Sequence, residues 1–288
     1  MQDIKTYMTP CSVGEAVKAM AAGGVTAFCG GTDLSPQVES GARQYTATLM
    51  NIRRIEGMGG IAEQGDSIRI GALTTVTEIR RDPLIAKVAP ILAEAAEHFA
   101  SDQIRNAASV GGNICNASPA GDMINPLLVL DAEVELARWQ DGAVATRRVA
   151  MADFFLAPRK TVKRDDELLT AIVFKRPAAD FVGYFRKSGP RPALEISTVS
   201  VGIGGRMSNG VFRDVRVAMG SVAPTPLRAR NVEAALEGKP LNADTIRAAV
   251  AATSADAKPI DDVRASAWYR EHLVKVFTEE VLNHVLGN

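Results

Sequence analysis

The chain is poor in the residues that usually announce an active site. It has three cysteines, three histidines and two tryptophans in 288 residues. Cys11, Cys29 and Cys115 are too few for a disulfide framework, and their spacing fits no zinc or iron–sulfur pattern, which needs about four ligands. Any metal cluster involved in the function therefore sits on another chain, and a reducing, cytoplasmic setting is expected. No apolar run reaches the ~18 residues of a transmembrane helix. The start, Met1-Gln-Asp-Ile-Lys-Thr-Tyr7, lacks the basic and apolar regions of a signal peptide. Lys+Arg and Asp+Glu both number 33, and this zero net charge, with no basic run, argues against a nucleic-acid binder. It also removes self-repulsion, as suits a subunit within a complex.

Nucleophilic and acid–base machinery is missing as well. No Gly-x-Ser-x-Gly elbow occurs. His272 and His284 are twelve positions apart on one expected helix, which at roughly 100° per residue puts them on different faces. His98 ends a helix, where the dipole alone accounts for it. Glu15, Glu63 and Glu78 read as surface or capping residues, and no carboxylate pair stands out.

Two glycine stretches remain. Cys29-Gly-Gly-Thr-Asp-Leu34 follows the apolar run Val25–Phe28. Ala108-Ser-Val-Gly-Gly-Asn-Ile114 continues through Cys115-Asn-Ala-Ser-Pro-Ala-Gly-Asp122. Without a Cβ, glycine can adopt positive φ and bring backbone close to a ligand. Consecutive N–H groups in such turns hold anions, phosphates above all. Two such stretches suggest a diphosphate gripped from two sides. Asp33 and Asp122, which close the stretches, have an ordinary reading as Asx turns or helix caps and a functional one as hydrogen-bonding partners of ligand hydroxyls. A third glycine run, Gly202–Gly210, resembles a dinucleotide fingerprint only superficially. That motif requires a strand before and a helix after, whereas Asn209-Gly210 predicts a hairpin.

The remaining pattern predicts an α+β chain. Ser12-Val-Gly-Glu15 reads as a capping box opening a helix that stops at Gly23-Gly24. Val25–Cys29 and Ala47–Asn51 read as strands with a loop and a helix between them, and Gly60–Glu63 with Ser67–Gly71 as a hairpin. Residues 74–99 are expected to hold two helices, the second opened by Pro90. Asp122–Val129 reads as a helix. Glu133–Ala137, Ala143–Val149 and Leu168–Phe174 read as strands. Lys175–Asp180 has the composition of a linker. Beyond it Phe181–Arg186, Thr198–Met207 and Val211–Gly220 form an antiparallel sheet, followed by helices at Ala229–Leu236, Ala243–Thr253 and Arg264–Leu286. The expected organisation is residues 1–176, with subdomains 1–55 and 56–176, and a separate α+β domain at 177–288.

At the two glycine stretches the chain resembles the FAD-binding medium subunits of the molybdenum hydroxylases, the family of carbon monoxide dehydrogenase and xanthine dehydrogenase. Cys29–Leu34 is similar to that family's AGGTDL loop and Ala108–Ile114 to its TIGGNI loop. Asp102-Gln-Ile-Arg105, Ser118–Asp122, Arg186–Arg191 and Ile196–Val201 continue the likeness in order. Cys29 stands in place of the usual alanine. No cysteine-rich insertion is present, so the extra iron–sulfur cluster of the benzoyl-CoA reductase branch is not expected.

The resemblance implies two α/β subdomains clasping FAD, and a C-terminal domain with an antiparallel sheet and helices. It implies that Gly30, Gly31, Thr32 and Asp33 hold the diphosphate with Gly111, Gly112 and Asn113, while Ala27, Phe28, Cys29 and Leu34 line the groove. Phe99 and Ala100 match positions near the adenine or flavin ring. Ile104, Ala108, Ser109, Ile114 and Asn116 surround the cofactor, Asp122 lies near its polar chain, Lys187 lies close to the flavin, and Leu168 contributes from its strand. No catalytic side chain and no metal ligand is implied. The implied role is electron transfer, from [2Fe–2S] clusters on a small partner subunit through this FAD to NAD⁺, a quinone or oxygen. A large partner carries molybdopterin, and the assembly is a dimer of heterotrimers. A stand-alone FAD oxidase and a non-catalytic nucleotide-binding assembly subunit are the alternatives.

Overall fold

A computed structural model of the chain describes residues 4–189 and 196–287. Pro190 and Arg191, which end one of the resembling motifs, lie outside these residues. The chain opens with β1 (Thr6–Met8), α1 (Val13–Ala21), β2 (Val25–Phe28), α2 (Leu34–Glu39) and β3 (Thr48–Asn51). The three strands pair in parallel in the order β1-β3-β2. Parallel pairing requires crossover connections, and α1 and α2 supply them. The sequence pattern does not predict β1, because three largely exposed residues carry no periodic signal. Ser12 caps α1 as expected, but Glu15 accepts from the Cys11 N–H at 2.9 Å, so the reciprocal capping box is not formed.

The second layer begins with β4 (Ile61–Gln64) and β5 (Ser67–Gly71). Six short helices follow: α3 (Val76–Arg81), α4 (Pro83–Val88), α5 (Pro90–Glu97), α6 (Asp102–Ala107), α7 (Val110–Asn116) and α8 (Ile124–Val129). Then come β6 (Glu133–Gln140), β7 (Ala143–Ala150), the small hairpin β8 (Phe155–Ala157) and β9 (Lys160–Thr161), and β10 (Leu168–Lys175). The antiparallel sheet runs β4-β5-β10-β6-β7. Residues 74–99 hold three helices rather than two, because Pro83 opens one of its own behind the Asp82 cap. Proline tolerates a first turn, where its missing N–H costs nothing.

The last layer is β11 (Phe181–Ser188), β12 (Val199–Ser208), β13 (Val211–Gly220), β14 (Leu227–Arg228), α9 (Arg230–Leu236), β15 (Lys239–Pro240), α10 (Ala243–Asp256) and α11 (Ala267–Gly287). Its sheet is antiparallel, in the order β11-β12-β13-β14, with β15 against β13. Asn209 (φ 50°) and Gly210 (φ 74°) make the β12–β13 turn with both central residues at positive φ, the geometry that matches strand twist.

Strand alternation gives β12 two different faces. Val199, Val201 and Ile203 enter the core with Val232, Ala249, Val274 and Phe277 from the C-terminal helices. Gly202 and Gly204 face the other way, toward α8. A Cβ at Gly204 would stand 2.7 Å from the Val129 side chain, and one at Gly202 would be 3.4 Å from it. The glycine run thus lets α8 lie close on the C-terminal sheet, and the apolar core of the first two layers continues across to Phe185 and Ala218.

Entry into β10 is fixed by an ion pair between buried Glu167 and half-exposed Arg147. Glu167, 1% exposed, accepts from Arg147 Nε at 2.6 Å and Nη2 at 2.8 Å, and from the Arg164 N–H at 2.8 Å. Burial pushes its carboxyl pKa up, but these hydrogen bonds outweigh burial and hold it below the ordinary 4.5. A lowered folded value means the stabilisation is full above pH 4.5 and is lost as the pH falls through the lower value. Glu167→Gln is expected to cost about 1–3 kcal/mol at pH 7. The gap from wild type in urea melts should narrow under acid conditions below the ordinary value; a gap independent of pH would contradict this account.

Candidate functional site

Two chain segments meet where β2 ends and α6 gives way to α7. Strand β2 releases Cys29 at the C-terminal edge of its parallel sheet, the edge where α/β layers bind ligands. Gly31 turns the chain at φ 69° and α2 begins at Leu34. Gly30 is packed against backbone: a Cβ there would stand 2.0 Å from the Ala107 carbonyl oxygen. Side chains reinforce the contact. Cys29 Sγ lies 3.0 Å from Ser109 Oγ, and Gln37 Nε2 donates to Asn116 Oδ1 at 2.8 Å.

The second glycine stretch is helical, against the expectation of a loop. Ser109 caps α7 by accepting from the Gly112 N–H at 3.1 Å. Neither Gly111 nor Gly112 has positive φ. The N–H groups of Val110 and Gly111 are already bonded, to Thr74 O at 3.0 Å and Ala72 O at 2.9 Å. Glycine disfavours helix by up to about 1 kcal/mol, and here the cap and these backbone bonds override it. The two glycines differ in role. Gly111 is buried, and its Cβ would stand 2.7 Å from Ala72 Cβ, so it serves packing. Gly112 is exposed, with its Cβ position 3.0 Å from Ser109 Oγ and 3.8 Å from Cys29 Sγ, so it faces the groove between the segments.

The first stretch is the one with open donors. Among the described residues, no group accepts from the backbone N–H of Gly30, Gly31, Thr32 or Asp33. Four successive half-exposed or exposed donors form a site for an anion. Neither stretch contains a lysine or arginine, so a bound diphosphate would be met there by N–H dipoles. Asn113 adds a buried side-chain oxygen with no partner, and such an atom calls for a donor. Asp33 starts α2 without capping it. Its carboxyl pKa is raised by partial removal from solvent. These groups fit a nucleotide cofactor with phosphates and hydroxyls.

The other predicted residues fall into three settings. Ala27, Phe28 and Leu34 are half-buried around the first stretch, with Phe28 6.5 Å from the ring of Tyr7. Ile104 is half-buried on α6, whereas Ala108, Ile114 and Leu168 are buried among core side chains. Phe99 and Ala100 form the turn after α5, with Ala100 at φ 39°. Arg105 holds this turn from within, donating to Phe99 O, to Ala100 O at 2.9 Å and to Glu97 O at 3.3 Å, with Asp102 beside it at 2.9 Å. Arg105 lies in the resembling Asp102–Arg105 run, but only its burial reveals that it acts on Phe99 and Ala100.

Asp122 and Lys187 come together across the layers. Lys187 Nζ donates to Asp122 Oδ2 at 2.6 Å, and Ser197 Oγ donates to Oδ1. Burial pushes the Asp122 carboxyl above the ordinary 3.8, while Lys187 and Ser197 pull it back. Both oxygens are thus engaged within the protein. Ser197 is not among the sequence candidates, although Ile196–Val201 carries the resemblance. His98 pairs with Glu94 at 2.9 Å, His272 stacks on Trp268 and His284 on Tyr184. Two surface clefts, of about 380 and 520 Å³, are lined by Gly60, Thr74, Arg81 and Pro83 and by Met8, Pro10, Glu15 and Lys18. Neither includes a residue of the two glycine stretches.

Comparison with known proteins gives this arrangement its class. Residues 2–176 match the FAD binding domain in molybdopterin dehydrogenase, and residues 184–285 match the CO dehydrogenase flavoprotein C-terminal domain. The chain belongs to the FAD-binding flavoprotein subunit family of the molybdenum hydroxylases. It is 32% identical to the xanthine dehydrogenase FAD-binding subunit of Escherichia coli O157:H7, over 100% of this chain and 98% of that one. It is 30% identical to the carbon monoxide dehydrogenase medium chain of Hydrogenophaga pseudoflava, over 96% and 95%. A solved structure of CO dehydrogenase from Oligotropha carboxidovorans superposes with a TM-score of 0.93 at 27% identity, over 100% of this chain and 99% of that one. These relatives are oxidoreductase subunits, and this chain is a flavoprotein of the same kind. Among the described residues no helix is long and apolar enough to cross a membrane.

Gly30→Ala is expected to force the two segments apart, lowering stability by about 1–3 kcal/mol and stripping FAD from the purified protein. Gly59→Ala, whose Cβ would meet nothing within 4 Å, should stay within about 0.5 kcal/mol and keep its flavin. Equal flavin content in the two variants would remove the Gly30–Ala107 contact from the site.

Proposed function

We propose that this chain is the electron-transfer flavoprotein subunit of a molybdenum-dependent hydroxylase or dehydrogenase. When bound, FAD supplies the redox chemistry that links [2Fe–2S] clusters on a small partner subunit to an external acceptor such as NAD⁺, a quinone or oxygen. Substrate oxidation belongs to a molybdopterin centre on a large partner, in a cytoplasmic dimer of heterotrimers. The carrying observation is the row of open N–H donors at Gly30–Asp33, set against Gly112 and the unpartnered Asn113 oxygen.

In this reading the chain binds and orients, and the cofactor carries the chemistry. The Gly30–Asp33 donors hold the diphosphate, with Gly112 leaving room for it. Asn113 accepts from a cofactor hydroxyl. Phe99 and Ala100, held by Arg105, flank a ring of the cofactor, and Leu168 backs that side from its strand. Lys187 brings a positive charge close to the flavin. The histidines are engaged in contacts within the chain, His98 with Glu94, His272 with Trp268 and His284 with Tyr184.

The full chain, purified alone, should carry FAD in a stoichiometric amount, identified after release by its absorbance and mass. It should turn over no substrate until the iron–sulfur and molybdopterin partners are added. Turnover by the chain alone would replace this reading with a stand-alone oxidase. A colourless chain that takes up no flavin would replace it with an assembly subunit.

A further inference from the structure

Two of the three cysteines belong to the two segments that form the groove. Cys29 follows β2, and its Sγ lies 3.0 Å from Ser109 Oγ and 3.8 Å from where a Cβ on Gly112 would stand. The face of α7 that meets the first segment is defined by two of its residues. Gly112 looks onto Cys29, and Asn116 accepts from Gln37 of α2 at 2.8 Å. Residues three and four apart share a helix face, so Cys115, three positions after Gly112, lies on that same face. Cys29 and Cys115 are both half-buried free thiols, whereas Cys11 is exposed. Burial pushes the Cys115 thiol up and Cys29 adds to that push, while Lys163 and Arg43 pull it back. The electron-transfer role uses neither sulfur.

We propose that Cys29 and Cys115 are a redox-sensitive dithiol, which a peroxide oxidises to a disulfide that staples the two segments together and excludes FAD. This rests on the FAD reading above, in which the space at Gly112 receives the diphosphate. The Cys29 thiolate attacks one oxygen of hydrogen peroxide, the O–O bond breaks, hydroxide leaves, and a sulfenic acid remains on Cys29. Cys115 then attacks that sulfur. The S–S bond forms, the S–O bond breaks, and the hydroxyl leaves with the Cys115 proton as water. In sum, two thiols and one peroxide give one disulfide and two waters; the sulfurs lose the two electrons that the peroxide gains. An accessible thiol beside a resolving one is the arrangement of a redox sensor. The cross-link takes up the room beside Gly112, so disulfide and diphosphate compete for one place. Such coupling is reciprocal: the disulfide blocks FAD, and bound FAD protects both thiols. In a reducing compartment the disulfide is transient, and its reduction restores the site.

The test treats the full-length chain, freed of its FAD, with hydrogen peroxide. Peptide masses should then show Cys29 joined to Cys115. FAD uptake, read by visible absorbance after gel filtration, should be lost and should return with dithiothreitol. The chain still carrying FAD should keep both thiols free under the same dose. Cys115→Ala should take up FAD before and after treatment, and Cys11→Ala should respond as the wild type does. Loss of uptake that persists in Cys115→Ala overturns the proposal by showing that Cys29 alone is the sensitive group. Should Cys115→Ala fail to fold, the wild-type chain decides by itself. Cys29 left unlinked to Cys115, linkage at equal rate with FAD bound, or uptake that survives linkage each overturns the proposal. A wild-type chain that takes up no FAD before treatment overturns the FAD reading and this one with it, whereas normal uptake before treatment confines any failure to this one.

Discussion

The approach of Gly30 to the Ala107 carbonyl is the contact on which the site depends. No other residue type fits where a Cβ would stand 2.0 Å from that oxygen. The contact brings the end of a parallel sheet against the turn between two helices of the next layer. It leaves the Gly30–Asp33 donors turned away from their own chain, and it sets Cys29 beside Ser109 and Gln37 beside Asn116. Water can satisfy half-exposed backbone donors such as these, and a ligand rich in acceptors, such as a diphosphate, can take its place.

Close approach governs the second seam too, by a different device. There the glycines lie in β12, and their missing side chains let Val129 and α8 settle onto the C-terminal sheet. The consequence is electrostatic. Once α8 is seated, the segment before it carries Asp122 to Lys187 and Ser197, and a charge pair is buried with both carboxylate oxygens bonded. Burying a charge is tolerable only when it is paired and hydrogen-bonded. The packing of apolar and glycine surfaces thus fixes where a polar pair can exist.

Much of this is legible in the amino-acid sequence itself. The Asn209-Gly210 hairpin, the α1-β2-α2-β3 order and the rejection of a dinucleotide fingerprint at Gly202–Gly210 all follow from local chemistry, and the structure agrees with them. The departures share a physical cause. Local propensity predicts loop where α7 forms, because two glycines disfavour helix. The bonds that override it, to Ala72 and Thr74, come from far along the chain. The same local view predicts a free anion nest at Gly111–Gly112, whereas those donors belong mostly to the fold. Arg105 and Ser197 lie inside recognisable motifs yet have no role readable from them, since each role depends on which carbonyls and carboxylates surround the side chain.

The two seams also bear on why no side chain stands out as a nucleophile or base. A site assembled from backbone donors and an amide oxygen can hold a charged cofactor without proton transfer to it by the protein. Each of those groups is positioned by a contact between layers rather than within one. A substitution at Gly111 therefore loosens the packing against Ala72 without entering the groove between the two stretches. That separates the two glycines of the second stretch: Gly111 acts through the fold and Gly112 through the groove. In this fold the close approach of Gly30 to Ala107 and of Gly111 to Ala72 fixes where the open Gly30–Asp33 donors stand relative to Gly112.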